Sequence, residues 1–353
     1  MTPSLPPISI IIPTLNRGRY VLRAVDSCLR AADGTENVQV EVIVIDSQSD
    51  DGSWEMLSEK FAQDSRVRLI QNQRGLGPTR SWLDGAVLIN GAFATFLWSD
   101  DYISPRFLHV LLPLLQEDTE LAVGSGAVRD VDDESEFPVS AGRNDLEREL
   151  FLVNYFSSVN HGVRQPVSPI CALFKRNCFD RWTHIVQSWC NATPLRKEIM
   201  WRRAIGPDLL LYLIAANMSV KIPTVLEVVA QFSSHKGSIT ISSPRWLLRT
   251  GYWLARLWLI ECGLSERSVS SKRFAEMAAA ALLQGIALAI TRPKGTPEMA
   301  GLEQARREIV NEIAQIWRIV RERTAVLAVI LASVELIGRV ILFRIKTARK
   351  RRA

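Results

Sequence analysis

In the stretch FLWSDDYISP, the adjacent carboxylates Asp100 and Asp101 close an apolar run with the composition of a buried strand. A pair of acids at a strand end can hold a hard divalent cation, relay a proton, or cap the helix that follows. Mg²⁺ commonly takes only one or two protein carboxylates and completes its shell with substrate phosphate and water. The capping alternative is open too, because SPRFLHVLL directly follows and its first N–H groups need acceptors. A further acid, Asp208, opens the apolar stretch PDLLLYLIAANM after Pro207. The helix macrodipole favours an acid there and proline favours helix starts, while the same carboxylate can accept a proton from a hydroxyl. His235 sits in AQFSSHKGSIT beside Lys236 and Ser238, in the kind of loop where binding residues concentrate. His109, His161 and His184 have no such context and read as structural or surface residues.

The elements that must position these groups show in the hydropathy pattern. Up to about residue 130, the runs ISIII (8–12), VEVIVID (40–46), VRLIQN (67–72) and ATFLWSD (94–100) alternate with helically spaced stretches at 18–31, 53–63 and 79–90. Such alternation predicts an α/β fold, a mostly parallel sheet flanked by helices. The polar segments PTLNRGR, DSQSDDGS, NQRGLGPTR and SDD follow the four runs in turn. They are expected on one rim, beyond the carboxyl ends of the strands, where such sheets bind ligands. From 121 to 245 the pattern is mixed, and from 246 onward it is helical, so three regions are expected: 1–120, 121–245 and 246–353.

The chain has 353 residues, 47% hydrophobic and 23% charged, which gives ample core material and excludes global disorder. Its net charge of +6 is concentrated at the end, where six of the ten residues RIKTARKRRA are basic. No aromatic platform for base stacking accompanies that tail, and no nucleic-acid partner is expected. Five cysteines without a CxxC pair suggest reduced thiols in a cytoplasmic compartment and no zinc site. The opening residues MTPSLPPISIIIPT lack a basic n-region and read as a first strand. GLGPTR is not a dinucleotide fingerprint: Arg80 takes the third glycine's place, and the segment follows the third strand. No Walker lysine loop is present either.

Four blocks in order, SIIIPTLNRGRYVLRAVDSCL (9–29), EVIVIDSQSDDGSWEML (41–57), NQRGLGPTRSWLDGA (72–86) and FLWSDDYISPRFL (96–108), resemble the family 2 glycosyltransferases. The resemblance implies the fold called GT-A, with a helical C-terminal extension here, and transfer of a sugar from a nucleotide-sugar donor. It implies that Pro13, Thr14 and Asn16 wrap the nucleoside, that Asp46 meets the base, and that Arg80 lies near the donor nucleotide. Asp100 falls on the last acid of the family's D-x-D motif, which binds Mg²⁺ or Mn²⁺, and Asp101 on the acid that often follows. His235 matches a late segment that completes the metal shell or contacts the diphosphate, and Asp208 matches the general base of the acceptor half. The pattern departs at Trp98, which stands where the first acid of D-x-D would be and cannot ligate a cation. Either Asp100 holds the metal with help from elsewhere, or Trp98 packs against the donor sugar or base.

These assignments describe an inverting, metal-dependent transferase acting on a glycan or lipid-linked acceptor in cell-surface or exopolysaccharide synthesis. The alternatives are a nucleotidyltransferase, disfavoured by the glycine-poor first loop, and a non-catalytic nucleotide-binding or scaffolding relative whose metal site has degraded. Ala325–Phe343 is interrupted by Glu335 and Arg339, so a membrane span is not expected. Two readings of the C-terminal helices remain, packing on the catalytic domain or lying on an anionic inner membrane face. Trp246, Trp253 and Trp258, interleaved with Arg245, Arg249 and Arg256, point to the second.

Overall fold

A computed structural model describes residues 7–133, 135–138, 140, 142–156, 166, 168–291, 302–323 and 326–337. His161 and the basic tail from Arg344 lie outside the described residues. The chain divides into two compact units, one of Met1–Leu146 with Pro166–Ser243, the other of Glu147–Gln165 with Pro244–Ala353.

The first unit begins with β1 (Ile8–Thr14), α1 (Arg19–Asp33), β2 (Val40–Asp46), α2 (Ser53–Phe61), β3 (Val67–Gln71), α3 (Pro78–Ala86) and β4 (Phe93–Phe96). Next come β5 (Tyr102–Ile103), α4 (Phe107–Leu111), β6 (Leu121–Asp130) and β7 (Arg143–Glu147). After α5 (Arg148–Phe156), which belongs to the second unit, the first resumes with β8 (Ala172–Lys175), α6 (Arg176–Trp189), α7 (Pro194–Arg196) and α8 (Pro207–Met218). It closes with β9 (Lys221–Ser234) and α9 (Ile239–Ser242).

Among the described residues one sheet runs β3-β2-β1-β4-β8-β6-β9-β5, with β7 pairing on β9. The expected parallel arrangement holds for β1 to β4. Beyond β4 the sheet is mixed, because β8 runs antiparallel to β4 and β6, while β9 runs parallel to β6. β1 and β2 are buried almost throughout, as befits parallel strands covered on both faces. α1 turns Val21, Ala24, Val25, Cys28 and Leu29 to the core at helical spacing. On the opposite face α3 approaches so closely that a Cβ on Gly85 would meet Ile11 Cγ2 at 2.3 Å, and only glycine fits.

The second unit is helical: α5, α10 (Arg245–Trp258), α11 (Leu264–Glu266), α12 (Ser271–Ile290), α13 (Leu302–Arg323) and α14 (Val326–Ile337). Here the structure corrects the interfacial reading of the tryptophans. Trp246, Trp253 and Trp258 are buried, and the indoles of Trp246 and Trp253 donate to the carbonyls of Leu288 and Ala281 on α12. Arg256 is half-buried, with its guanidinium pushed down to about 10 by desolvation, and it donates to Gln284 Oε1. The Trp/Arg alternation records a helix packed on α12, not a headgroup belt. Among the described residues α12 alone is long and apolar enough to cross a membrane by length and composition, and 56% of its apolar window is buried inside the protein.

Candidate active site

The strand order locates the site. The chain steps from β1 outward to β3 and then returns to β4 on the other flank of β1, so the loops leaving β1 and β4 diverge at the carboxyl rim. Those loops carry Asn16 to Arg19 and Trp98 to Asp101.

The first loop is fastened to the loop after β2. Asn16, at φ 53°, donates from Nδ2 to Asp50 Oδ1 at 2.8 Å and accepts the Asp50 N–H at 2.9 Å. Thr14 pairs in register with Asp46 on β2. Asp46 is fully buried and accepts from Ser49 N–H at 3.0 Å, Ser49 Oγ at 2.5 Å and Gln71 Nε2 at 3.2 Å. Its carboxylate therefore shapes the loop from inside. Thr14 is buried too, and its hydroxyl has no hydrogen-bond partner among the described residues, which leaves a polar atom unsatisfied at the rim. Pro13 is half-buried beside it. Arg80 is exposed on α3 and pairs with Asp84, at 2.8 Å.

In the second loop the three consecutive candidates have different surroundings. The Trp98 ring stacks on Trp82 at 4.4 Å and on Phe96 at 5.8 Å, and its Nε1–H donates to Ser168 Oγ at 2.7 Å. Asp101 is buried and accepts the Ser233 N–H at 2.7 Å; burial and the adjacent Asp100 charge push its carboxyl well above the usual range. Asp100 keeps a partly exposed carboxylate. Its Oδ2 lies 2.6 Å from His235 Nε2 and 3.7 Å from Arg17 Nε.

His235 follows β9, and its Nδ1 accepts the Gly237 N–H at 3.2 Å. The neutral ring then carries its proton on Nε2 and donates it to Asp100. Ligation of a cation by Nε2 would replace that proton. Among the described residues no three His, Cys, Asp or Glu side chains converge, so the donor set is the pair of one carboxylate and one imidazole. That set fits a divalent cation arriving with diphosphate oxygens and water, as magnesium sites commonly do.

Asp208 is buried in the first turn of α8, after Gly206 at φ 111°, and its Oδ1 accepts the Leu209 N–H at 2.9 Å. Tyr212, four residues on, shares its helix face about 6 Å along the axis. The Tyr212 hydroxyl donates to Ser168 O at 3.0 Å, and Ser168 Oγ is the acceptor of the Trp98 indole. This relay through Ser168 ties the Asp208 face of α8 to the loop that presents Asp100.

Four residues at the site had not been singled out from the sequence. Arg17 faces Asp100; Tyr20 stacks on His235 at 6.2 Å; Arg23 donates to Asp100 O at 3.0 Å, Ser233 Oγ at 3.0 Å and Val131 O at 2.6 Å. Ser233 meets both Arg23 and Asp101. One signal was available. Basic residues gather at the start of α1, whose first turn holds no acid, and the macrodipole disfavours cations there unless acceptors hold them.

Residues 9–182 match Glycosyl transferase family 2. This part of the chain belongs to that family. The chain is 27% identical over 119 residues to Glycosyltransferase GlyG of Streptococcus pneumoniae, covering 33% of this chain and 38% of that protein. It is 30% identical over 141 residues to a chondroitin synthase of Escherichia coli, covering 40% and 20%. The matches therefore span well under half the length of these relatives. Among solved structures, S. aureus TarS 1-349 in complex with UDP-GlcNAc superposes with a TM-score of 0.59 at 16% identity, covering 89% of this chain and 81% of that one. That likeness shows the GT-A-like fold. The remaining chemical candidates narrow accordingly: Cys28, Cys171, Cys178 and Cys190 are buried with their thiols pushed up by desolvation, so none is a ready nucleophile.

Proposed function

We propose that the protein is an inverting, divalent-cation-dependent glycosyltransferase that moves a sugar from a nucleotide-sugar donor to a hydroxyl of a glycan or lipid-linked acceptor. Residues 1–120 would hold the donor and 121–245 the acceptor. The observation that carries the reading is the meeting of Asp100 with His235 at the topological switch point, joined through Ser168 to the face of α8 that bears Asp208. A uridine diphosphate sugar is the donor class to try first, since TarS was crystallised with UDP-GlcNAc. Relatives named as a chondroitin synthase and as the abequosyltransferase RfbV of Salmonella typhimurium support a place in cell-surface or exopolysaccharide synthesis.

The donor is already activated, because its leaving group is a nucleoside diphosphate. A bound Mg²⁺ or Mn²⁺ would supply charge neutralisation at that group. Asp100 and His235 would hold the cation, and Arg17 adds a fixed positive charge on the same side. Pro13, Thr14, Asn16, Asp46 and Arg80 frame the nucleotide end, Asp46 from inside the loop through its bonds to Ser49 and Gln71. Trp98 backs the site from its aromatic stack, and Asp101 fixes the loop by its bond to Ser233. Asp208 takes the proton from the acceptor hydroxyl as the new C–O bond forms, while the electron pair of the old bond leaves with the diphosphate. Attack from the opposite face inverts the anomeric centre. Asp208→Asn should bind donor with wild-type affinity and lose turnover; full turnover by that variant would refute the assignment.

One observation favours a second reading, a non-catalytic nucleotide-binding relative. Trp98 is locked by Trp82 and Ser168, so no carboxylate can approach from that position. Nucleotide binding by the wild type without any turnover would select it.

The second unit carries the membrane proposal. On α14 the side chains of Leu327, Leu331 and Val334 are exposed at helical spacing, and the basic tail follows in the sequence. An apolar stripe followed by cations suits attachment to the anionic inner face of a cell membrane, leaving the enzyme cytoplasmic and peripheral. Leu331→Glu with Val334→Glu in the full chain should abolish flotation with anionic liposomes; unchanged flotation would remove α14 from the account.

A further inference from the structure

A cavity of about 1010 Å³ is lined by one face of α1, by Tyr102–Arg106 and by the loop around Phe137. Asp46, Asp100, Asp208 and His235 do not line it, whereas Tyr20 and Arg23 belong to both, so it adjoins the candidate active site. Tyr20 lines the cavity and stacks on His235; Arg23 lines it and bonds the Asp100 carbonyl.

The lining chemistry is specific. Five cations, Arg19, Arg23, Arg30, Lys60 and Arg106, outnumber the three acids Asp26, Asp132 and Glu136. Arg19 pairs with Asp132 and Lys60 with Asp26, whereas the exposed Arg30 guanidinium has no ion pair among the described residues. Between these charges stand three aromatic rings, Tyr20, Tyr102 and Phe137, the last two meeting edge to face at 5.6 Å. Guanidinium groups match carboxylates in a planar, two-point geometry. Aromatic faces match the apolar face of a sugar ring, and their polar neighbours match its hydroxyls. The volume lies at the upper end of the range for ligand sites, larger than a single sugar requires.

We infer that this cavity binds an acidic oligosaccharide, with a sugar face against Phe137 and a carboxylate against Arg30. Although most of its lining belongs to 1–120, it would grip the already built part of an acceptor chain leaving 121–245 and, through Tyr20 and Arg23, stand one residue away from His235 and Asp100. The inference rests on the glycosyltransferase reading, which is what selects a glycan over other anions.

The test is calorimetric titration of the full chain, without donor or metal, with a hexuronate-containing tetrasaccharide, its carboxyl-reduced neutral counterpart and inorganic phosphate. The acidic tetrasaccharide should bind at least tenfold more tightly than either of the others. Arg30→Glu should weaken it at least tenfold and Phe137→Ala at least fivefold, with thermal melting confirming that each variant is folded. Equal binding of acidic and neutral forms, phosphate binding as tight as the tetrasaccharide, no binding, or affinity unchanged in Arg30→Glu would overturn the proposal. A wild type that binds nucleotide sugar but no tetrasaccharide sinks the cavity alone. Tetrasaccharide binding without any nucleotide-sugar binding or turnover keeps the cavity and sinks the enzyme reading.

Discussion

The two rims of the parallel strands both carry polar side chains, and they use them in opposite ways. At the amino rim Glu41 accepts from Ser9, Asn90 and Arg68, so both of its oxygens are answered. At the carboxyl rim the hydroxyl of Thr14 is unanswered among the described residues, and Asp100 shares one oxygen between an imidazole and a guanidinium. A closed network stabilises a fold; an open one leaves groups ready for a ligand. The contrast separates structural carboxylates from chemical ones by their surroundings rather than by their residue type.

The comparison can be broken by substitution, from the largest expected effect downward. Asp208→Asn should lower kcat about 10²–10⁴-fold with donor binding intact, as loss of a general base does. Replacing Asp100 by Ala is expected to cost about 10²–10³-fold in turnover, as for other groups that stabilise developing charge, and to flatten the response to Mn²⁺. Trp98→Ala removes the stack on Trp82 and the bond to Ser168, and should destabilise the fold by about 3 kcal/mol in denaturant unfolding. The smallest effect belongs to the closed rim. Burial opposes ionisation of Glu41, but the donors Ser9, Asn90 and Arg68 outweigh it and hold its carboxyl below the ordinary 4.5. Its stabilisation is therefore present above 4.5 and lost as the pH falls through the folded value. Glu41→Gln should cost about 1 kcal/mol at neutral pH after solvent screening, with no effect on donor turnover. The gap to wild type should close in acid.

What could be read from the sequence follows the same division. β1 to β4 are buried parallel strands, so their apolar runs announce them, although the run at 94–100 stops pairing at Phe96, where the Asp101 N–H turns back to Trp98 O. β5 has two residues and takes its place by pairing Tyr102 with Gln231 and Ile103 with Ala230, contacts no local pattern reveals. The place of α5 in the second unit is equally silent in the composition. At the candidate site, Asp100, His235 and Asp208 are proposed through a family resemblance. Arg17, Tyr20 and Arg23 were missed because their roles depend on strands that return from far along the chain. The tryptophans of α10 misled for a related reason: a helix that is apolar on one face reads the same whether lipid or another helix covers it.

The most direct measurement is the affinity of the full chain for a panel of nucleotide sugars, titrated with Mn²⁺ and again with chelator, for the wild type and Asp100→Ala. The account predicts that Mn²⁺ tightens binding of the preferred donor at least tenfold in the wild type and has no effect in Asp100→Ala. Equal affinity with Mn²⁺ and with chelator in the wild type would contradict it.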